Sequence, residues 1–161
     1  MPNNCTKKKK KYYRCISIID MNSIKGIVKF KSYNNKCTIN YNIQNLSNGK
    51  HGFHVHKHGD LSKGCVTGCE HFNPDNHEHG GPHSIIRHAG DLGNIISLNK
   101  NSSGSITVNN LSCNPKSKYS IVGRMIIIHE DPDDLGKGDN EESKKTGNAG
   151  KRLACGIIGI C

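Results

Sequence analysis

The chain has 161 residues, 33% of them hydrophobic, no Trp, and a formal net charge of +10. That length suits one domain with a core of its own, and no apolar run approaches the roughly 20 residues that cross a membrane, so a spanning segment is excluded. The cations Lys29, Lys31, Lys36 and Lys50 are scattered and do not read as a basic stripe for nucleic acid, so a nucleic-acid partner is not expected.

Residues 1–13 hold the run Lys7–Lys11 without an apolar segment or small-residue cleavage site after it. This reads as a solvated basic tail rather than a secretory signal, and a cytoplasmic protein is expected. From residue 14 onward short apolar or alternating segments recur: Arg14 to Ile19, Lys25 to Phe30, Cys37 to Ile43, Gly52 to His56, Asn94 to Leu98, Gly104 to Val108, Ser120 to His129 and Gly156 to Ile160. Turn residues separate them, as at Asn22-Ser23, Asn34-Asn35, Ser47-Asn48-Gly49, Asn99 to Ser103 and Asn114-Pro115. About eight strands without a helical period predict an all-β sandwich or barrel over residues 14–161.

Two long segments interrupt this rhythm. Lys57 to Gly93 is rich in Gly, His, Cys and Pro, and Glu130 to Arg152 in Asp, Glu, Lys and Gly. Loops of such length inside a compact domain carry function, and a metal or a crosslink is needed to order them. His54 and His56 share one face of a strand, while Phe53 and Val55 face the core. The loop adds His71, His77, His79, His83 and His88, with Asp91 three residues later, and His129 ends the strand that starts at Ile121. Imidazoles with a single carboxylate suit zinc and copper, whereas calcium or magnesium would want an oxygen cage.

The runs GFHVH (52–56), HFNP (71–74), HGGP (79–82), RHAGDLGN (87–94), IVGR (121–124), HE (129–130), DDLGKG (133–138), NEES (140–143), KTGNAG (145–150) and RLACGIIGI (152–160) resemble the copper-zinc superoxide dismutase family. The resemblance implies an eight-stranded antiparallel Greek-key barrel that disproportionates superoxide to oxygen and hydrogen peroxide. It implies copper on His54, His56, His71 and His129, and zinc on His71, His79, His88 and Asp91, with His71 shared. Asp133 would link the two sites through His54 and His79, because a carboxylate on the distal N–H fixes an imidazole's tautomer. Arg152 would anchor the anionic substrate beside copper, and Thr146 would narrow the channel opposite it. Glu141, Glu142 and Lys145 would shape the field along the approach. His51, His58, His77 and His83 fall outside the ligand sets and are expected to be exposed loop residues.

The spacing of the eight cysteines pairs none of them, and no C-x-x-C is present. The resemblance implies a disulfide between Cys65 and Cys155, leaving Cys69 as an ordinary loop thiol. It also implies a homodimer through Ile157 and Ile160, and a copper chaperone as a possible partner in metal loading. A non-catalytic relative, whether chaperone-like or a metal buffer, is the alternative. A buffer has no use for an anion anchor, whereas this chain keeps Arg152 and a complete ligand set.

Overall fold

The computed structural model describes residues 10–161. Of the expected basic tail, residues 1–9 therefore lie outside the described residues, and Tyr13 already belongs to the first strand. That strand, β1 (Tyr13–Met21), is followed by β2 (Ile24–Tyr33), β3 (Lys36–Gln44) and β4 (Gly49–His56). A short β5 (Ser62–Cys65) precedes β6 (Asp91–Ser97), β7 (Asn101–Val108), β8 (Met125–His129), one helix α1 (Glu141–Thr146) and β9 (Arg152–Ile160). Eight of the strands form one antiparallel sheet in the order β6-β4-β8-β9-β1-β2-β3-β7. Its two end strands are consecutive in the chain, and Leu98 and Asn101 exchange backbone hydrogen bonds of 2.9 and 3.0 Å at the β6–β7 turn. The sheet thus curls into a nearly closed barrel.

Local sequence explains the hairpins. Asn22-Ser23, Asn34-Asn35 and Asn99-Lys100 all have positive φ at both positions, the pattern of a type I′ turn, whose twist matches that of paired strands. Asparagine tolerates this region better than most side chains. β1 to β3 then alternate cleanly, sending Cys15, Ile19, Val28, Phe30, Cys37, Ile39 and Ile43 into the core and leaving Arg14, Lys29, Lys31 and Asn40 in water.

β4 breaks the alternation because its residues from His51 to His56 are all buried. Phe53 and Val55 fill the barrel, and the two long loops roof His54 and His56 on the other face. The strand expected from Ser120 is shorter than the apolar run suggested, starting only at Met125. Gly123, with φ of 74°, turns the chain just before it, and Arg124 N–H donates to Ile121 O. α1 is the other departure. Its Asn140 cap accepts from Ser143 N–H at 2.8 Å, and Gly147 closes it in the left-handed conformation.

The disulfide is formed between Cys65 and Cys155, 90 residues apart, with Cα atoms separated by 5.7 Å. It ties the first long loop to β9, and Met21 packs its thioether against both sulfurs. Cys69 is exposed and free.

Candidate metal centre

Two four-donor clusters lie on the outer side of β4 and share one histidine. The first contains His54, His56, His71 and His129, and the second His71, His79, His88 and Asp91; within each, the ligand atoms lie within 4.8 Å of one another. Each of these residues is at least nine-tenths buried. Strand pleat delivers His54 and His56 side by side, and the β4–β8 register places Ile127 opposite His54, two residues before His129. The first long loop brings His71 over β4, where it forms a bridge with His56.

Hydrogen bonds to the outer nitrogen of each ring decide which nitrogen faces inward. His56 Nδ1 donates to Cys69 O at 2.7 Å and His129 Nδ1 to Gly150 O at 3.3 Å. Both rings therefore present the Nε2 lone pair inward, and these two atoms stand 3.2 Å apart. His54 Nε2 donates to Asp133 at 2.9 Å, which leaves its Nδ1 buried without a partner; His71 Nε2 is likewise buried and unpartnered. Four imidazole lone pairs converging without a donor between them are repulsive until a cation occupies the centre.

The second cluster is built around Asp91 Oδ1, which lies 2.8 Å from His71 Nδ1, 3.2 Å from His88 Nδ1 and 3.1 Å from His79 Nδ1. The last contact is close but lacks hydrogen-bond alignment, so His79 Nδ1 is also an orphan. The second oxygen of Asp91 accepts from the backbone of Gly80 and His88. Three imidazoles and one carboxylate make the donor set of a tetrahedral zinc site. His71 faces the first cluster with Nε2 and the second with Nδ1, so one ring belongs to both.

Asp133 joins the clusters from outside, accepting from His54 Nε2 at 2.9 Å and from His79 Nε2 at 2.7 Å. Asn94 pins it by donating to its carbonyl and accepting from its amide. Gly147 must lack a side chain here, since a Cβ would strike the Asp133 carboxylate. Against the burial that opposes charge, hydrogen bonds from His54 and His79 hold Asp133 below the usual carboxylate range. Asp91 is held well below that range by His71, His79 and His88. Burial, reinforced by the neighbouring His54, pushes His71 down to about 3 and His129 to about 2. His79 is raised to about 9, because the Asp133 and Asp91 carboxylates outweigh its burial.

An open cavity of about 790 Å³ leads to the first cluster, reaching His56, His71 and His129. Arg152, Thr146, Glu141, Glu142 and Lys145 all line it. Arg152 is half-buried and clamped by three carbonyls, donating to Cys65 O and Val66 O at 2.8 and 2.9 Å and to Cys69 O at 2.5 Å. The disulfide-tied loop thus fixes the guanidinium at the cavity.

The histidines outside the ligand sets divide. His58, His77 and His83 are exposed, but His51 is buried, which corrects the expectation for that residue. Its Nδ1 lies 2.8 Å from His129 O and its Nε2 2.9 Å from Ser47 O, so it straps the end of β8 to the start of β4. Arg87 was also missed. It is buried and donates to the carbonyls of His88, Ala89 and Asn109, stiffening the loop that carries His88 and Asp91. Position 51 is the inward-pleated partner of Phe53, a signal the sequence did contain.

A β-barrel that presents two clusters of metal-ligating side chains sharing one imidazole has the donor sets of a two-metal protein. Residues 24–158 match the family model described as copper/zinc superoxide dismutase. The chain is 50% identical over 137 residues to the Cu-Zn superoxide dismutase of Paramecium bursaria Chlorella virus 1, covering 84% of this chain and 73% of that protein. It is 45% identical to Cu-Zn superoxide dismutase A of Xenopus laevis, over 86% and 91% of the two chains. An extracellular Cu-Zn superoxide dismutase of Drosophila melanogaster is 46% identical over 88% of this chain and 78% of its own. Among solved structures, the clock protein EA4 superposes with a TM-score of 0.88 at 40% identity, covering 92% of this chain and 95% of that one. The chain belongs to the copper-zinc superoxide dismutase family. Its activity is the dismutation of superoxide, and its cofactors are copper and zinc.

Proposed function

We propose that copper is held by His54, His56, His71 and His129, and zinc by His71, His79, His88 and Asp91. The observation that carries this is the pair of converging donor sets sharing His71, with unpartnered nitrogens on His54, His71 and His79. The open cavity reaches the first set, and the second has the carboxylate zinc favours. Copper held there would supply the one-electron redox couple that dismutation needs. Zinc, without redox chemistry, keeps the His71 ring in place.

The residues of the chain do the rest. Arg152 draws the anion to the inner end of the cavity, and its fixed guanidinium fork holds it in one orientation. His71, the ring shared by the two sets, would carry one of the two protons that hydrogen peroxide needs, and solvent would supply the other. Asp133 fixes the tautomers of His54 and His79 together, so that the two sites hold their geometry as a unit. Thr146 narrows the cavity while Lys145 adds positive charge to its wall; Glu141 and Glu142 keep that charge local. A metal buffer would need neither the cavity nor the clamped arginine.

The test is Arg152→Ala and Arg152→Glu in fully metallated protein. At about 4 Å and an effective dielectric near 20, the guanidinium attracts a unit anion by on the order of 4 kcal/mol. With compensation, Arg152→Ala loses roughly one to two orders of magnitude in rate, and Arg152→Glu loses more. Metal content stays constant, because Arg152 ligates neither ion. An Arg152→Glu protein as fast as wild type would overturn the anchor role.

The homodimer is proposed on an exposed apolar row. Ile18 and Ile27 face each other across β1 and β2, and Ile157 of the adjacent β9 lies beside them, all three between 40% and 57% exposed; Ile160, opposite Cys15 at the end of β9, is 65% exposed. A reducing, intracellular setting fits the five free cysteines beside one disulfide among the described residues. A copper chaperone remains the proposed donor of copper, since the copper donors are more than nine-tenths buried at the inner end of the cavity. Among the described residues, no helix is long and apolar enough to cross a membrane.

A further inference from the structure

Cations that are dispersed in the sequence are gathered by the β1–β2–β3 register. The outward row of β2 reads Lys25, Ile27, Lys29, Lys31. Arg14 of β1 stands directly opposite Lys31, and Lys36 of β3 opposite Tyr33. Like charges facing each other across a sheet are destabilising, and here nothing offsets them. The remaining outward side chains of β3 are Thr38, Asn40, Asn42 and Gln44, and β1 has its one outward carboxylate, Asp20, at the far end opposite Lys25. Among the described residues, the lysines and arginines in ion pairs are Lys57 and Lys118, neither of them on this face.

Aromatic rings lie among these cations. Tyr12 and Tyr33 pack with centroids 5.5 Å apart, tilted by 42°. The Lys31 ammonium sits 4.5 Å from the Tyr12 centroid, Lys10 5.6 Å from Tyr33, and Lys11 5.1 Å from Tyr13. Tyr12 is 43% exposed. Flexible ammonium groups therefore cap the rings, and a base can replace each one while the lysine moves to a phosphate.

We propose that this face binds single-stranded nucleic acid without sequence preference, with Arg14, Lys29 and Lys31 on the phosphates and Tyr12 and Tyr33 stacked on bases. A sulfated polysaccharide or an anionic bilayer would use the cations but leave the rings without a role; bases use both. No side chain on the face reads base edges in a fixed geometry, hence the lack of sequence preference. The apolar half of the same sheet, at Ile18 and Ile27, is left to the dimer. The metal donors lie on β4, β6, β8 and the long loops, so binding is separate from dismutation.

The experiment is fluorescence anisotropy of a labelled short single-stranded RNA against the full metallated chain across a salt series. Affinity should fall linearly with salt on logarithmic axes. Arg14→Gln/Lys29→Gln/Lys31→Gln should lower that slope by about 2, the value for losing three phosphate contacts on a single strand. Tyr12→Leu/Tyr33→Leu should weaken binding about thirtyfold or more at unchanged slope, as loss of two stacked bases requires. Both variants should keep full copper and zinc content, and the tyrosine variant wild-type dismutase activity, which reports that they are folded. Tyrosine variants that bind as wild type, tighter capture of heparin or phosphatidylserine vesicles than of RNA, or no binding at low salt would each overturn the proposal.

Discussion

His71 and His129 stay neutral in the folded, metal-free chain, but once unfolded they take a proton near the ordinary imidazole pKa of 6.5. Below pH 6.5 the unfolded state therefore binds more protons, and stability falls as pH falls. Asp91 and Asp133, held low, act with the same sign below their ordinary 3.8. His79 runs the other way: raised to about 9, its contribution is fully present below 6.5 and fades as pH climbs toward 9. Between pH 6.5 and 5 each depressed histidine costs roughly 2 kcal/mol, at 1.36 kcal/mol per unit. The Tm of the metal-free protein should fall over that interval, and fall less once metals occupy the imidazole lone pairs. A flat Tm in the metal-free protein would contradict the assigned tautomers. Much of this was legible in the sequence, because liganding residues must be of few chemical types and stand in fixed runs. His51 was misjudged because the strand was taken to begin at Gly52; β4 starts earlier, and the same pleat that turns Phe53 inward turns His51 onto two carbonyls.

At the scale of elements, the crosslink fixes the mouth of the cavity. Closing a loop of 90 residues is worth about 4–5 kcal/mol in the chain-entropy model. Cys155→Ser should lower unfolding free energy by that order in denaturant titrations, and should loosen the carbonyl clamp on Arg152, which includes Cys65 O. An unchanged midpoint would show that the loops are held by other contacts. The strands themselves were readable from alternation and asparagine turns, with ends misplaced by a few residues. α1 was not readable, since six residues are too few to show a helical period. Its caps, Asn140 and Gly147, specify it instead. The apolar run from Ile121 looked like strand, but Gly123 turns the backbone before β8 can begin.

For the whole molecule, the proposed dimer predicts a sedimentation result. Ile18→Glu/Ile157→Glu places two carboxylates in the apolar row and should convert a dimer to monomers while leaving zinc content intact. A wild-type chain that sediments as a monomer at micromolar concentration would remove the dimer. The net charge of +10 adds a long-range attraction for an anionic substrate, so added salt should slow the wild-type reaction. The central claim is that superoxide is dismutated at a copper held by the His54, His56, His71 and His129 cluster. His129→Ala tests it most directly, because His129 belongs to that cluster alone and its backbone carbonyl still receives His51. Superoxide decay should be followed by pulse radiolysis, with copper and zinc measured in the same sample. The account predicts one zinc per chain, weakened copper binding and loss of catalysis; full wild-type rate in His129→Ala would contradict it.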